Sequence, residues 1–160
     1  MGKLTVLALR VVLVAGLAGS LFVQGVMVPL LADDLEDVDV RVPVLVIVVL
    51  GIVTIQVTMV CVWRLLTMVR RGTVFSHAAF RYVDVVFGAI VVASLLAFAL
   101  GVTLAPGEGV APGVVLLIGG AGVLVAGVAL VVLVLRMLLA QAVALDVETK
   151  HLQAELSEVI

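Results

Sequence analysis

The sequence predicts an all-α fold: a four-helix transmembrane bundle with a cytoplasmic C-terminal amphipathic helix that extends span four. The first observation is that four long stretches without charged residues occupy most of the 160 residues. The second is the composition, which is 65% hydrophobic and 12% charged, against roughly 45–50% and 25% in soluble domains. The third is a helical repeat of apolar residues after the last stretch. Together these observations predict one integral membrane domain over residues 1–160.

The four apolar stretches have the length that a membrane span requires. A helix needs about 20 apolar residues to cross about 30 Å of hydrocarbon. The predicted spans are 11–32, 42–63, 84–104 and 114–135, with a tail at 136–160. The first span follows two basic residues, as in a secretory signal peptide, but it is longer than the roughly 7–15 apolar residues of such a peptide. We therefore predict an uncleaved first span, with cleavage near 15–20 as the alternative.

The distribution of basic residues predicts the orientation. With both termini in the cytoplasm, eight of the nine Lys and Arg residues lie on the cytoplasmic side, and Arg41 is the exception. The loop at 32–39 is strongly acidic and falls on the opposite side. Because Lys and Arg accumulate in cytoplasmic loops, the sequence predicts a multi-pass protein with both termini in the cytoplasm.

Several residues predict where individual helices begin and end. Pro43 lies near the start of span two, where the missing N–H of a proline costs little. Gly72 follows two arginines and is suited to end a helix. Ser76 is suited to cap the next helix, which would then begin at His77.

The tail carries an apolar repeat of helical spacing. Its residues are separated alternately by four and three positions, as in a heptad pattern. They are Leu138, Ala142, Leu145, Thr149, Leu152, Leu156 and Val159. We call this set the seam. It predicts that helix four continues into the cytoplasm.

The charge of the tail predicts what its seam contacts. After Arg136 the chain has one lysine and four acidic residues, a net charge of −3. Helices that lie on membrane surfaces are usually basic, so an acidic helix favours a protein surface. The predicted partner-binding residues are Leu145, Leu152, Glu155, Leu156 and Glu158. The alternatives are that the seam packs on the protein's own cytoplasmic loop or on a second copy.

An ion pair is predicted at the inner edge of the membrane. Asp84 is the one acidic residue close to the hydrocarbon, and Arg64 and Arg136 are expected at the same depth. Charged residues within spans tend to be paired. We predict a structural ion pair, with Arg81 as a further possible partner. The alternative is a proton or substrate site.

The centres of the predicted spans contain few polar or ionisable side chains. The sequence places no acidic residue there, which argues against proton-coupled transport. Small residues recur every four positions on span three, at Ala89, Ala93, Ala97 and Gly101. Such a stripe allows close helix packing, and a specific dimer motif is the alternative.

The sequence predicts neither an enzyme nor a protein that binds a cofactor. It lacks the zinc-protease, serine-hydrolase and phosphate-loop motifs. His77 and His151 are isolated, so no metal site is predicted. A net charge of −2 does not favour direct binding of nucleic acid.

Three segments resemble a known family. They are RGTVFS at 71–76, LLAQAVAL at 138–145 and ELSEVI at 155–160. With the four spans, they are similar to the uncharacterised membrane-protein family called domain of unknown function 2975. The resemblance implies a bacterial inner-membrane protein. It also implies a cytoplasmic partner of the helix-turn-helix regulator type, because members are often encoded beside one, and it supplies no catalytic residues.

These observations favour a small regulatory or scaffold protein that presents its cytoplasmic loop and tail to a partner. The alternative is a homo-oligomeric transporter of a small solute. The two differ in where the essential residues lie: at the cytoplasmic face or inside the spans.

Overall fold

The computed structural model describes residues 3–34, 38–72, 77–106 and 109–160, and these residues are almost entirely helical. In chain order the elements are α1 (Lys3–Phe22), a π-helical turn (Val23–Met27), α2 (Val28–Asp34), α3 (Val38–Arg70), α4 (His77–Leu104) and α5 (Pro112–Val159). Among the described residues there is no strand. The all-α prediction is confirmed.

Four helical segments of the described chain are long and apolar enough to cross a membrane. They are Lys3–Asp34, Asp39–Arg70, His77–Leu104 and Pro112–Val159. Each contains one predicted span and extends beyond it. The extension is expected because uncharged stretches mark only the hydrocarbon, whereas helices continue into the headgroup region.

The first span changes its helical form near its centre. The backbone N–H of Val28 donates to the carbonyl of Val23, five residues back, which is the π-helical pattern. Pro29 lies two residues after the end of this turn. A proline inside a helix has no N–H and its ring collides with the carbonyl four residues earlier. We attribute the wider turn at Val23–Met27 to Pro29.

The ends of α3 and α4 match two of the predicted signals. Gly72 has φ +69°, a left-handed conformation that favours glycine, and its N–H donates to the carbonyl of Val69 at 3.2 Å. Helix α4 begins at His77, as predicted. The proposed cap, Ser76, lies outside the described residues.

The prediction for Pro43 is wrong. Helix α3 begins at Val38, so Pro43 lies in the second helical turn and not in the first. There its missing N–H removes a hydrogen bond to the carbonyl of Asp39. The physical reason is that the helix continues into the acidic loop beyond the hydrocarbon.

The main packing is between consecutive spans: α1 on α3, α3 on α4, and α4 on α5. A close crossing lies between α4 and α5. The Ser94 hydroxyl, which is buried, donates to the carbonyl of Gly122 at 2.9 Å. A Cβ at Gly122 would lie 3.3–3.4 Å from the side chains of Phe98 and Ala97. The absence of a side chain at Gly122 therefore lets the two helices approach.

The stripe of small residues on α4 takes part in this crossing. Gly101 also lies on this face. It is buried, and a Cβ there would lie 3.9 Å from Ile118 and from the carbonyl of Val115 on α5. This part of the stripe thus packs within the chain.

Few side chains are buried inside the protein. Most Leu and Val side chains of the spans are exposed on the outside of the helices. The buried residues of the described chain are Val6, Leu13, Val44, Cys61, Leu66, Ala79, Val86, Ser94, Gly101, Gly122 and Ala129. Such an aliphatic exterior is suited to lipid, where burial between helices is not the driving force.

Candidate functional site

The fold brings most of the basic residues to one end of the membrane segments, which we call the basic end. The antiparallel packing of consecutive spans brings the start of α1, the end of α3, the start of α4 and the middle of α5 to the same level. The residues on these segments are Lys3, Arg10, Arg64, Arg70, Arg71, Arg81 and Arg136. The described acidic residues of the first loop, Asp33, Asp34 and Asp39, lie at the opposite end of the same helices.

Helix α5 passes the basic end without a break. It contains 48 residues, which corresponds to about 72 Å at 1.5 Å per residue. Beyond Arg136 it continues to Val159, so that about 35 Å of helix lies outside the predicted span. The prediction that the fourth span continues as a helix is confirmed.

The seam is uncovered. Leu145, Leu152 and Leu156 are 63%, 52% and 62% exposed. Every residue from 147 to 160 is exposed. The loop between α3 and α4 is one of the elements that the sequence offered as cover for the seam. Its residues 73–76 lie outside the described residues, and its described flanks leave the seam open. The predicted partner-binding residues thus share an exposed helix, and no described part of the chain covers them.

Two side-chain pairs support the tail helix on its polar faces. Lys150 Nζ lies 3.2 Å from Asp146 Oδ2, and His151 Nε2 lies 3.4 Å from Glu155 Oε1. Both pairs have the four-residue spacing that stabilises a helix. Glu158 is exposed near the end of the helix. Each pair therefore gives the tail helix a small stabilisation.

An ion pair at the basic end joins Asp84 to Arg136. The guanidinium contacts both carboxylate oxygens, through Nε to Oδ1 and through Nη2 to Oδ2, the latter at 3.1 Å. The two side chains are 47% and 38% exposed, so the pair lies at the protein surface. Arg64 and Arg81 are exposed and outside this pair. The ion pair therefore links α4 to α5, and Arg64 takes no part in it.

An apolar cavity of about 230 Å³ lies beside this ion pair. Helices α3, α4 and α5 each contribute to its walls, which include Val62, Val86 and Val132, and Arg136 is its one charged lining residue. The volume is sufficient for part of an acyl chain or a small apolar molecule. The walls offer no group for acid–base chemistry.

A contact between Arg10 and Trp63 was not predicted. The guanidinium carbon of Arg10 lies 5.2 Å from the centre of the Trp63 ring, within the range of a cation–π interaction. The sequence contained the signal, because Arg10 precedes span one and Trp63 ends span two, at the same predicted depth. This contact ties α1 to α3 at the basic end.

A cluster of polar side chains ties the same two helices near the middle of the membrane. Gln56 Nε2 on α3 donates to Gln24 Oε1 at 3.1 Å and to Ser20 Oγ at 3.3 Å. Gln24 lies in the π-helical turn. Amide and hydroxyl groups in this position orient helices or bind a polar ligand, and they are not acid–base catalysts at neutral pH.

The described residues offer no metal site. No group of three His, Cys, Asp or Glu side chains among them is close enough to hold an ion. His151 is engaged with Glu155, and His77 is exposed at the start of α4.

Of the comparisons with known proteins, the comparison with family models gives a match. Neither a curated protein nor a solved structure matches the chain. A family model described as "Protein of unknown function (DUF2975)" matches residues 30–160. The match covers α3, α4, α5 and the tail, and it begins within α2. The chain therefore belongs to the DUF2975 family of proteins of unknown function.

Proposed function

We propose that this is a non-enzymatic membrane protein that presents its helical tail to a cytoplasmic protein and so acts as a regulator or scaffold. The observation that supports this most is the uncovered seam. The leucines of the seam repeat over three heptads on the part of α5 outside the predicted spans. They are exposed, and no described residue covers them. Exposed apolar patches of this kind usually mark interaction surfaces.

The charge of the tail indicates the chemistry of the partner. The net charge of −3 disfavours an anionic membrane surface. Glu155 lies on the flank of the seam, whereas Glu158 lies towards the opposite face of the helix. A fitting partner offers an apolar groove with a basic rim. A helix-turn-helix regulator, which the family resemblance implies, fits this charge because DNA-binding proteins carry basic surfaces.

The length of the tail supports the same proposal. A helix that reaches about 35 Å past the inner edge carries Leu152 and Leu156 well beyond the headgroups if it keeps the direction of the span. At that distance they are accessible to a soluble protein. This argument depends on the orientation, which we propose from the basic residues: both termini and the basic end face the cytoplasm.

Cysteine labelling of intact cells tests the orientation. In a Cys61→Ala background, a membrane-impermeant maleimide is expected to label a cysteine at Asp37 or Glu108 and not one at Thr73 or Glu155. Permeabilised cells serve as the control, because all four positions should then react. Labelling of the Thr73 or Glu155 position in intact cells would contradict the proposed orientation.

Co-purification tests the function. Leu152→Asp combined with Leu156→Asp is expected to abolish recovery of the cytoplasmic partner with the solubilised protein. The matched control is Val147→Asp with Ala154→Asp, which adds the same charge to the opposite face of the helix. The control should retain the partner. Mass spectrometry of the co-purified proteins, with size-exclusion profiles of each variant, gives the measurement.

The outcomes separate the alternatives. Loss of a protein partner only from the seam variant supports the proposal. A changed oligomer with no lost protein indicates self-association through the tail. If neither changes, the regulatory proposal is wrong.

The transporter alternative is favoured by one observation, the polar cluster of Gln56, Gln24 and Ser20 beside a π-helical turn. Interruptions of regular helix inside a membrane frequently accompany binding sites. A solute-dependent phenotype that Gln56→Leu removes, while the tail variants leave it intact, would support this alternative.

A further inference from the structure

A groove at the basic end lies between the first turns of α1 and the last turn of α3. Its volume is about 460 Å³. It is lined by Lys3, Val6, Leu7, Arg10, Val69 and Arg70. Three of these six residues are cationic, three are aliphatic, and none is acidic. The groove therefore offers positive charge next to an apolar wall.

Arg10 is oriented in this groove by an aromatic ring. Its guanidinium faces the Trp63 ring at 5.2 Å. Its Nε is inaccessible. A ligand in the groove would therefore accept hydrogen bonds from the terminal nitrogens of the guanidinium group. Planar guanidinium groups are well suited to phosphate oxygens, which accept from two N–H groups at once.

A second groove, apolar and open to the outside, continues from the first along α1. It shares Leu7 and Arg10 with the basic groove and has a volume of about 360 Å³. Val11, Val14, Ala15 and Ala18 complete its lining. All six residues fall on one face of the helix at three- and four-residue spacing. From Leu7 to Ala18 the groove covers about 16 Å, or about half of the hydrocarbon thickness.

We propose that the two joined grooves bind one anionic phospholipid. The headgroup phosphate lies among Lys3, Arg10 and Arg70, and one acyl chain lies along the face of α1 that ends at Ala18. Charge complementarity selects the headgroup, and the length of the apolar groove matches a single leaflet. A soluble phosphate compound shares the headgroup chemistry but leaves the apolar groove empty.

The single tryptophan of the chain is a reporter at this site. Trp63 contacts Arg10, so a lipid in the groove lies close to its ring. The experiment uses the full chain in phosphatidylcholine bilayers and measures quenching of Trp63 fluorescence by brominated phosphatidylglycerol. Brominated phosphatidylcholine at the same mole fraction is the reference. Phosphatidylglycerol is expected to quench more strongly.

Arg70→Gln tests the headgroup site without touching the Arg10–Trp63 contact. It is expected to lower the preference for phosphatidylglycerol at least about tenfold, the effect of losing one hydrogen bond to a charged group. The matched control is Arg71→Gln, which removes the same charge from the next residue. Arg71 is exposed and does not line the groove, so its variant should lose clearly less, at most the roughly fivefold effect of one cation near a membrane surface. Equal losses in both variants would overturn the proposal in favour of a general surface charge.

The acyl part of the site has its own test. Ala15→Leu with Ala18→Leu fills the apolar groove, and both alanines are exposed, so the helices need not move. This variant is expected to lose quenching by phosphatidylglycerol, whereas Ala121→Leu on an exposed position of α5 should not. Glycerol 3-phosphate is the soluble competitor. If it displaces the lipid at concentrations comparable to a short-chain phosphatidylglycerol, the site is for phosphate alone and the lipid proposal fails.

Discussion

The two halves of α5 have opposite surroundings although they form one continuous helix. Residues 112–136 meet α4 at the Ser94–Gly122 hydrogen bond and at the Asp84–Arg136 ion pair. Beyond Asp146 every residue is exposed. The membrane half has lipid to cover its remaining apolar face, whereas the tail half carries its leucines outside the spans. This difference is the basis of our proposal that the tail seam is used between molecules.

The largest effect on stability is expected from a side chain at the α4–α5 crossing. Gly122→Leu would collide with Phe98 and Ala97, which lie 3.3–3.4 Å from its Cβ position. Overpacking of this kind costs about 1–3 kcal/mol. The matched control is Gly120→Leu, because Gly120 is exposed and has nothing within 4 Å of a Cβ.

The measurement for both glycine variants is the free energy of unfolding in mixed micelles titrated with a denaturing detergent. Gly122→Leu should be destabilised and Gly120→Leu should match the wild type. Equal stability of the two variants would show that the membrane half of α5 is not packed as described.

A smaller effect is expected at the contact between α1 and α3. Gln56→Leu removes hydrogen bonds to Gln24 and Ser20. Hydrogen bonds between membrane helices contribute about 1 kcal/mol or less. Thr58→Val is the control, since the Thr58 hydroxyl donates to the Thr54 carbonyl within α3. The unfolding free energy should fall more for Gln56→Leu; an equal loss would argue against a polar link between the helices.

The ion pair between Asp84 and Arg136 should have the smallest effect. Asp84 and Arg136 are partly exposed, and such pairs contribute about 0–1 kcal/mol. A double-mutant cycle with Asp84→Asn and Arg136→Gln is expected to give a coupling of about 0.5 kcal/mol. The cycle with Arg64→Gln in place of Arg136→Gln should give none. Coupling to Arg64 and not to Arg136 would contradict the observed pairing.

The sequence predicted the parts of the fold that depend on local composition. The four spans, the start of α4 at His77, the left-handed Gly72 and the continuation of α5 follow from hydrophobicity and from the conformational preferences of single residues. These features need no knowledge of how the helices pack.

The features that the sequence did not predict depend on contacts between helices or on competing local effects. Asp84 had three arginines within reach, and helix rotation selects Arg136. Gly122 is one of several glycines on α5, and only the crossing distinguishes it. Pro29 was a visible signal for the π-helical turn, but in a uniformly apolar span the same residue is also compatible with a kink or with a regular helix that lacks one hydrogen bond.

Site-specific photo-crosslinking along the tail tests the central claim most directly. A photoreactive amino acid is placed, one position at a time, from residue 144 to residue 159 of the full chain in its native membrane. If the seam binds a protein, crosslinks to a second polypeptide should occur at Leu145, Leu152 and Leu156 and be weak at Val147 and Ala154 on the opposite face. The predicted result is a crosslinking yield that rises and falls along the tail with the periodicity of an α-helix. Uniformly low yields, or yields strongest at Val147 and Ala154, would contradict the assignment of the seam as the interaction surface.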